Sequence, residues 1–285
     1  MGSRSRVGHW SLKPRIWVQI PTPPPLALIH KKKTMKIFAC SDIHSAHTPW
    51  IQALKEVGFD ENNPEHIIVV CGDLLDRMNE TVETLEFALR MIKKGRLIYV
   101  KGNHDILMQE MLNRGYSEWH DKHNGTQKSY YQLLNAHADS MDGRSPDEIV
   151  MTALSPLYDK MVNYFETQNY IFVHSWIPVT LEGKSNPICY YNADWRDATD
   201  EEWERAMWGN PFDMHYLDLN KTGKTIVFGH WHCSAGHKML GHCKTEFGED
   251  AIWEPCYAQG IIGIDRCTAH TGECNVVVLE DDVLE

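Results

Sequence analysis

No apolar run in this 285-residue chain approaches the ~20 residues that a membrane-spanning helix requires. No secretory signal is legible either, so a reducing, cytoplasmic setting is the expectation and no membrane partner is called for. The eight cysteines include no C-x-x-C pair, which argues against a zinc knuckle. Cys40 and Cys71 sit inside apolar runs, where a free thiol packs as a small hydrophobe. A basic surplus is missing too. The formal net charge is -11, and residues 1–34 hold seven Lys or Arg with no acid, so the remainder carries 21 basic against 39 acidic side chains. Such an acidic body disfavours nucleic-acid binding, which needs a basic face. An anionic substrate must then be drawn in locally, by metal ions and a few Arg or Lys. Neither an internal repeat nor a linker interrupts residues 35–285, which read as one domain. Residues 1–34, basic and carrying Pro21, Pro23, Pro24 and Pro25, read as a disordered or artefactual leader before Met35. The sequon Asn124-Gly125-Thr126 reads as idle in a protein that stays out of the secretory route.

Five short apolar runs are present, and each stops at a residue able to bind a metal ion. KIFACS runs into Asp42 and His44; IIVVCG into Asp73; LIYVKG into Asn103 and His104; YIFV into His174; TIVFG into His230 and His232. Short runs rich in Ile, Val, Phe and Tyr read as strands buried on both faces. In open α/β sheets, ligand groups gather beyond the carboxyl ends of such strands. The intervening pattern is helical at 49–57 and at 79–94, the latter starting at a candidate cap, Asn79, and stopping at Gly95. Capping boxes predict helix starts at Ser145 and Thr199. Residues 113–129 are polar, aromatic and weakly periodic, as a surface loop or substrate lid would be. The closing segments AIWEPCYA, IIGIDRC and NVVVLED are short and strand-like, and are expected to complete a second sheet.

Asp42, His44 and Asp73 can surround one divalent ion, and Asp73, Asn103, His174 and His230 a second. A bridging carboxylate such as Asp73 holds two cations ~3.5–4 Å apart despite their repulsion. Mixed imidazole and carboxylate ligands suit Mn, Fe or Zn better than Ca or Mg. Two such ions lower the pKa of a shared water, so hydroxide exists at neutral pH, and they absorb charge on a phosphoryl group. His104, next to Asn103, is placed to protonate a departing alkoxide. Asp76 is the candidate carboxylate that favours its acid form. Arg77 is placed to grip phosphate oxygens as a bidentate fork.

Written out, Asp42-Ile43-His44, Gly72-Asp73-Leu74-Leu75-Asp76-Arg77, Gly102-Asn103-His104-Asp105, Phe172-Val173-His174 and Gly229-His230 resemble the signature blocks of the calcineurin-like metallophosphoesterases. The Gly-Asp-x-x-Asp-Arg form is similar to the branch of serine/threonine protein phosphatases and symmetrical dinucleoside tetraphosphatases. The resemblance implies an α/β fold built as a four-layer αββα sandwich, two mixed sheets flanked by helices, with the di-metal centre between the sheets. It also implies the roles argued above for Asp76, Arg77 and His104. His232 matches the second histidine of a Gly-His-x-His block and is counted as a further metal ligand. Asp105 stands where the branch has Glu. The branch's second phosphate-binding Arg has no aligned block here; Arg196 and Arg205 are the candidates for it, and Lys101 is a further phosphate contact.

These features lead to hydrolysis of a phosphate monoester by metal-activated water, on a phosphoprotein or a nucleotide, with a serine/threonine protein phosphatase placed first. A symmetrical bis(5'-nucleosyl)-tetraphosphate hydrolase is the alternative within that chemistry. A non-catalytic interaction module on the same fold is the alternative outside it, opposed by the presence of every ligand and of His104.

Overall fold

The computed structural model describes residues 33–138, 143–183 and 187–283. The leader expectation falls on residues 1–34, of which 1–32 lie outside the described residues. All five apolar runs form strands, joined in chain order as follows. β1 (Lys33–Cys40), α1 (His47–Glu56), β2 (His66–Cys71), α2 (Thr81–Lys93) and β3 (Leu97–Val100) alternate along the first third. Helices follow: α3 (Asn103–Arg114), α4 (Trp119–Asn124), α5 (Thr126–Ala136) and α6 (Pro146–Tyr158). Then come β4 (Met161–Val162), β5 (Phe165–Glu166), β6 (Tyr170–Phe172), β7 (Val179–Glu182), β8 (Ile188–Tyr191), α7 (Asp200–Met207) and α8 (Pro211–Tyr216). The chain closes through β9 (Thr225–Phe228), α9 (Cys233–Met239), β10 (Cys256–Ala258), β11 (Ile261–Gly263), α10 (Thr268–Thr271) and β12 (Val277–Val283).

The strands build two five-stranded sheets, ordered β12-β1-β2-β3-β4 and β10-β11-β9-β6-β5, plus the separate hairpin β7-β8. In the first, β1 to β4 run parallel and β12 antiparallel to β1. In the second, β6, β9 and β11 are parallel, while β5 and β10 are antiparallel edges. Strand side chains alternate between faces, and the burial follows that alternation. Ile37, Ala39, Val69 and Cys71 of the first sheet meet Phe172, Val227, Ile262 and Ile264 of the second in one cluster between the sheets. The opposite faces bury Phe38, Ile68 and Val70 beneath α1, α2, α3, α5 and α6, and Ile171, Ile226 and Phe228 beneath Trp195, Trp203 and Phe212. Helix, sheet, sheet, helix: the four-layer expectation describes the molecule.

Local differences from the sequence reading have physical reasons. α2 starts at Thr81 with Glu80, not Asn79, at its cap position: the Glu80 carbonyl accepts the Thr84 N–H, and its carboxylate makes no cap because it is engaged by the Thr48 N–H and hydroxyl at the start of α1. Segment 113–129 is no extended loop: it holds the end of α3, all of α4 and the start of α5. NVVVLED joins the first sheet rather than the second, since β12 pairs with β1 from Lys33 to Ala39. The capping boxes at Ser145 and Thr199 form as expected. Among the described residues, no helix is long and apolar enough to cross a membrane.

Candidate metal centre

The parallel strands β1, β2, β3, β6 and β9 bring their carboxyl ends, and the residues that follow them, to one place. Asp42, His44, Asp73, Arg77, Asn103, His104, His230 and His232 line a single cleft of about 270 Å³. The turns that hold them are conformationally costly. Among the described residues, nine non-glycine residues adopt positive φ. Eight of these (Asp42, His44, Ser45, Asp73, Asp76, Arg77, His230 and Cys267) belong to the motif turns or line the cleft. Left-handed backbone at such residues costs roughly 1–3 kcal/mol each and persists where the surroundings over-determine it.

Two clusters of metal-capable atoms share one carboxylate. His44, Asp73 and His104 offer atoms all within 4.8 Å of one another, and so do Asp73, His174 and His230. Asp73 reaches His44 Nε2 at 3.9 Å and His104 Nε2 at 3.8 Å through one oxygen, and His174 Nε2 at 3.5 Å through the other. Asp42 stands 3.9 Å from His44 Nε2 and accepts the His230 backbone N–H at 2.8 Å. Ring nitrogens not aimed at the cleft are fixed by backbone carbonyls. His44 Nδ1 donates to Leu75 O at 3.1 Å, and His174 Nδ1 to Cys71 O at 2.8 Å. Those contacts put the N–H on Nδ1 and leave an Nε2 lone pair facing inward, the orientation that metal-binding imidazoles take. His174 Nε2 then lies 2.7 Å from Asn103 Oδ1, two acceptors that a shared cation would satisfy.

The electrostatics ask for cations. Burial pushes the Asp42 carboxyl well above the usual range, and neighbouring Asp265 and Asp73 push it further. Burial likewise raises Asp265 to about 7. Burial would raise Asp73 as well, but positive charge placed at His174, His104, His44 and His230 outweighs it and holds that carboxyl low, an effect that a divalent ion beside neutral imidazoles would take over. Burial, then the neighbouring imidazoles, depress His44 and take His230 down to about 3. Deprotonated imidazoles around an ionised carboxylate are the protonation states that a divalent ion binds. The donor set therefore fits two divalent cations.

His104 is held differently. Its Nδ1 lies 2.8 Å from Asp76 Oδ2, which also accepts the Thr126 hydroxyl at 2.7 Å, while the Asp76 N–H donates to Ser129 Oγ at 2.9 Å. Burial alone would lower the His104 pKa, but Asp73 and the hydrogen bond to Asp76 raise it above the ordinary histidine value. Arg77 Nη2 stands 3.3 Å from His104 Nε2, so guanidinium and imidazole face one space. Asp105 sits in a buried pocket where it accepts the Tyr99 hydroxyl and the Gly102 N–H at 2.8 Å. A short acid suffices there because the backbone it caps is only three residues away.

The remaining expected residues are placed elsewhere or held otherwise. His232 lines the cleft, but its Nε2 is 2.6 Å from Glu246 Oε1 and it belongs to neither metal-capable cluster. Lys101 is not among the residues lining the cleft; its backbone N–H donates to Val162 O. Arg205 lies on α7, 3.8 Å from Glu201, and lines a separate pocket. Arg196 is bound to Glu166 through two nitrogens, at 2.8 and 2.6 Å. Several contributors were not singled out from sequence: Asn124, Trp208, Asp265 and Cys267 in the cleft wall, and Thr126 and Ser129 behind Asp76. Asn124 and Thr126 carried a signal in the Asn-Gly-Thr triplet read as a sequon, and Asp265 one in the tail Ile264-Asp265 to Val278-Leu279, which is similar to the closing strands of the same family branch.

Fold and site together define a metal-dependent phosphoesterase. Residues 35–271 match the family model of the calcineurin-like phosphoesterases, and the chain belongs to that family. It is 26% identical to a bis(5'-nucleosyl)-tetraphosphatase PrpE [asymmetrical] of Bacillus subtilis, over 67% of this chain and 76% of that protein. Against the protein of the same name from Bacillus velezensis the identity is 34%, over 22% of this chain and only 28% of the relative's length. A serine/threonine phosphatase structure from Saccharomyces cerevisiae aligns over 88% of this chain and 81% of its own, at 12% identity and a TM-score of 0.44.

Proposed function

We propose that residues 35–285 form a catalytic domain that hydrolyses phosphate esters or anhydrides of nucleotides, with dinucleoside polyphosphates as the substrate class. The observation that carries the chemistry is Asp73, shared by two histidine clusters, with His104 and Arg77 beside it. Two bound cations, of the Mn, Fe or Zn type, would supply a Lewis-acid centre and an activated water. Asp42, His44 and Asp73 would hold one, and Asp73, Asn103, His174 and His230 the other, with His232 an additional ligand if it releases Glu246. Arg77 binds phosphate oxygens as a charged fork. His104, held at Nδ1 by Asp76, keeps Nε2 toward the departing oxygen and gives it a proton. The curated relatives favour the nucleotide substrate, although both are of the asymmetrical type, whereas the signature blocks resemble symmetrical enzymes and protein phosphatases. A phosphoprotein substrate is the second reading, favoured by the Gly-Asp-x-x-Asp-Arg block. A cytoplasmic location goes with either.

The test compares diadenosine tetraphosphate, a phosphopeptide and p-nitrophenyl phosphate on Mn-supplemented protein. The highest kcat/KM should fall to the dinucleotide, and His104→Asn should lower kcat by roughly 10²- to 10⁴-fold with metal content retained. Absence of turnover on all three substrates, with His104→Asn indistinguishable from wild type, would overturn the enzymatic reading; an active wild type matched by His104→Asn would overturn only the proton-donor role of His104.

A further inference from the structure

A second cavity, of about 310 Å³, opens beside the metal cleft. It is lined by Trp176, Ile177, Val179, Leu181, Trp208 and Met214 among others, with Glu202 and Arg205 as its charged groups. Trp208 is a wall of both spaces: it lines the cleft with His230, and the two ring centroids are 6.2 Å apart. The cavity is also tied to the ligand turns by the backbone. Trp176 and Ile177 lie two and three residues beyond His174, and Ser175, between His174 and Trp176, donates its hydroxyl to Gly209 O at 2.7 Å. That bond fixes the residue after Trp208 against the turn that carries His174. Val179 and Leu181 of β7, with Cys189 of β8, close the far side. Trp176 is buried, and its indole N–H has no acceptor among the described residues.

We infer that this cavity is a nucleobase subsite, taking the base of a nucleotide whose phosphate lies in the neighbouring metal cleft; this rests on the phosphoesterase function proposed above. Its size is at the small end of ligand pockets, enough for one flat heterocycle and too small for a folded peptide segment. Trp208, half exposed, offers an indole face on which a base can stack, an interaction worth roughly 1–3 kcal/mol per base. The Glu202 carboxylate already accepts the Thr199 N–H and hydroxyl, and the Arg205 side chain is half exposed, but a wholly apolar guest would leave the buried Trp176 N–H without an acceptor, which is costly. A base edge carries acceptors, and so suits the Trp176 N–H and the Arg205 guanidinium that line the same cavity. On this reading Arg205 serves the substrate, but at its base rather than its phosphate.

Ala206, half-buried on α7 in the cavity wall, gives a test by filling. Ala206→Phe and Leu181→Glu would be compared with wild type on adenosine-containing polyphosphate and on p-nitrophenyl phosphate, with thermal unfolding run alongside. The expected result is a fall in the ratio of nucleotide to aryl-phosphate kcat/KM by roughly 10- to 100-fold, carried mainly by KM. Quenching of tryptophan fluorescence by adenosine 5'-monophosphate should weaken in the same variants. An unchanged ratio in a folded variant overturns the subsite, as does wild-type turnover of aryl phosphate with none of nucleotide. Wild type inactive on both substrates would instead overturn the phosphoesterase function, and the subsite with it.

Discussion

Gly102 precedes Asn103 at a point where a side chain has no room. A Cβ there would run into the Asp73 carboxylate and backbone. Its φ is -107°, which any residue adopts, so the requirement is one of space and not of conformation. Gly72 and Gly229 are crowded in the same way, by the His174 ring and by Asp42 and Ser41. Gly102→Ala should therefore displace Asp73 and lower activity by about 10- to 100-fold, as outer-shell changes at metal sites do. Wild-type kcat/KM in a Gly102→Ala protein would contradict that tight approach. Asp73→Asn asks a sharper question of the same carboxylate. It stands between both histidine clusters, so the variant should retain neither ion after gel filtration and lose more activity than His104→Asn. Metal analysis giving the wild-type stoichiometry would contradict a bridging role.

The elements behind Arg77 and Asp76 act through a corner between helices. Gly125 joins α4 to α5 at φ +84°, and a Cβ there would meet the Arg77 backbone. The next residue, Thr126, donates its hydroxyl to Asp76 Oδ2 at 2.7 Å. Thr126→Val keeps the shape and removes the donor, leaving part of a buried carboxylate unsatisfied at a cost of about 1–3 kcal/mol. The expected outcome is a lower melting temperature with kcat down about tenfold, while KM for small phosphates holds, because Asp76 positions His104 rather than substrate. A KM increase at constant kcat would place Thr126 with substrate binding instead. This corner also marks the limit of what the sequence makes legible. The five ligand-bearing strands are readable because each is a local apolar run ending at a polar motif, and all five fold as read. The α4–α5 corner has no such period, and its meaning depends on contact with a turn fifty residues earlier. β12 fails to declare its sheet for a related reason: strand pairing over more than 230 residues is set by register with β1, which leaves no local trace. Arg205 carries the same lesson, since its helix is plain from a capping box while the cavity it faces belongs to tertiary packing.

At the scale of the molecule, the metal centre draws on both sheets, so its geometry depends on how firmly they are fastened. Asp281 is one fastening. It lies on β12 of the first sheet and accepts the Thr167 hydroxyl at 2.6 Å, the Asn169 N–H at 2.7 Å and the Asn169 side-chain amide at 2.7 Å, all from the turn between β5 and β6 of the second. Burial would raise the Asp281 pKa, but these hydrogen bonds outweigh it and hold the carboxyl below its ordinary value. A depressed carboxyl contributes stability above its unfolded-state pKa of about 3.9, and that contribution disappears as pH falls through the folded-state value. Asp281→Asn keeps one acceptor oxygen for three donors and should cost about 2 kcal/mol at pH 7. Denaturant unfolding of both proteins from pH 7 down to pH 3 measures the difference, which should narrow below about pH 4. A gap that stays constant across that range would mean that the Asp281 charge does not help to join the sheets. Metal content at pH 7 adds an independent reading. If this clamp helps to hold His174 and His230 opposite Asp42 and Asp73, the variant should release its ions to a chelator faster than wild type while its turnover under saturating Mn stays close to normal.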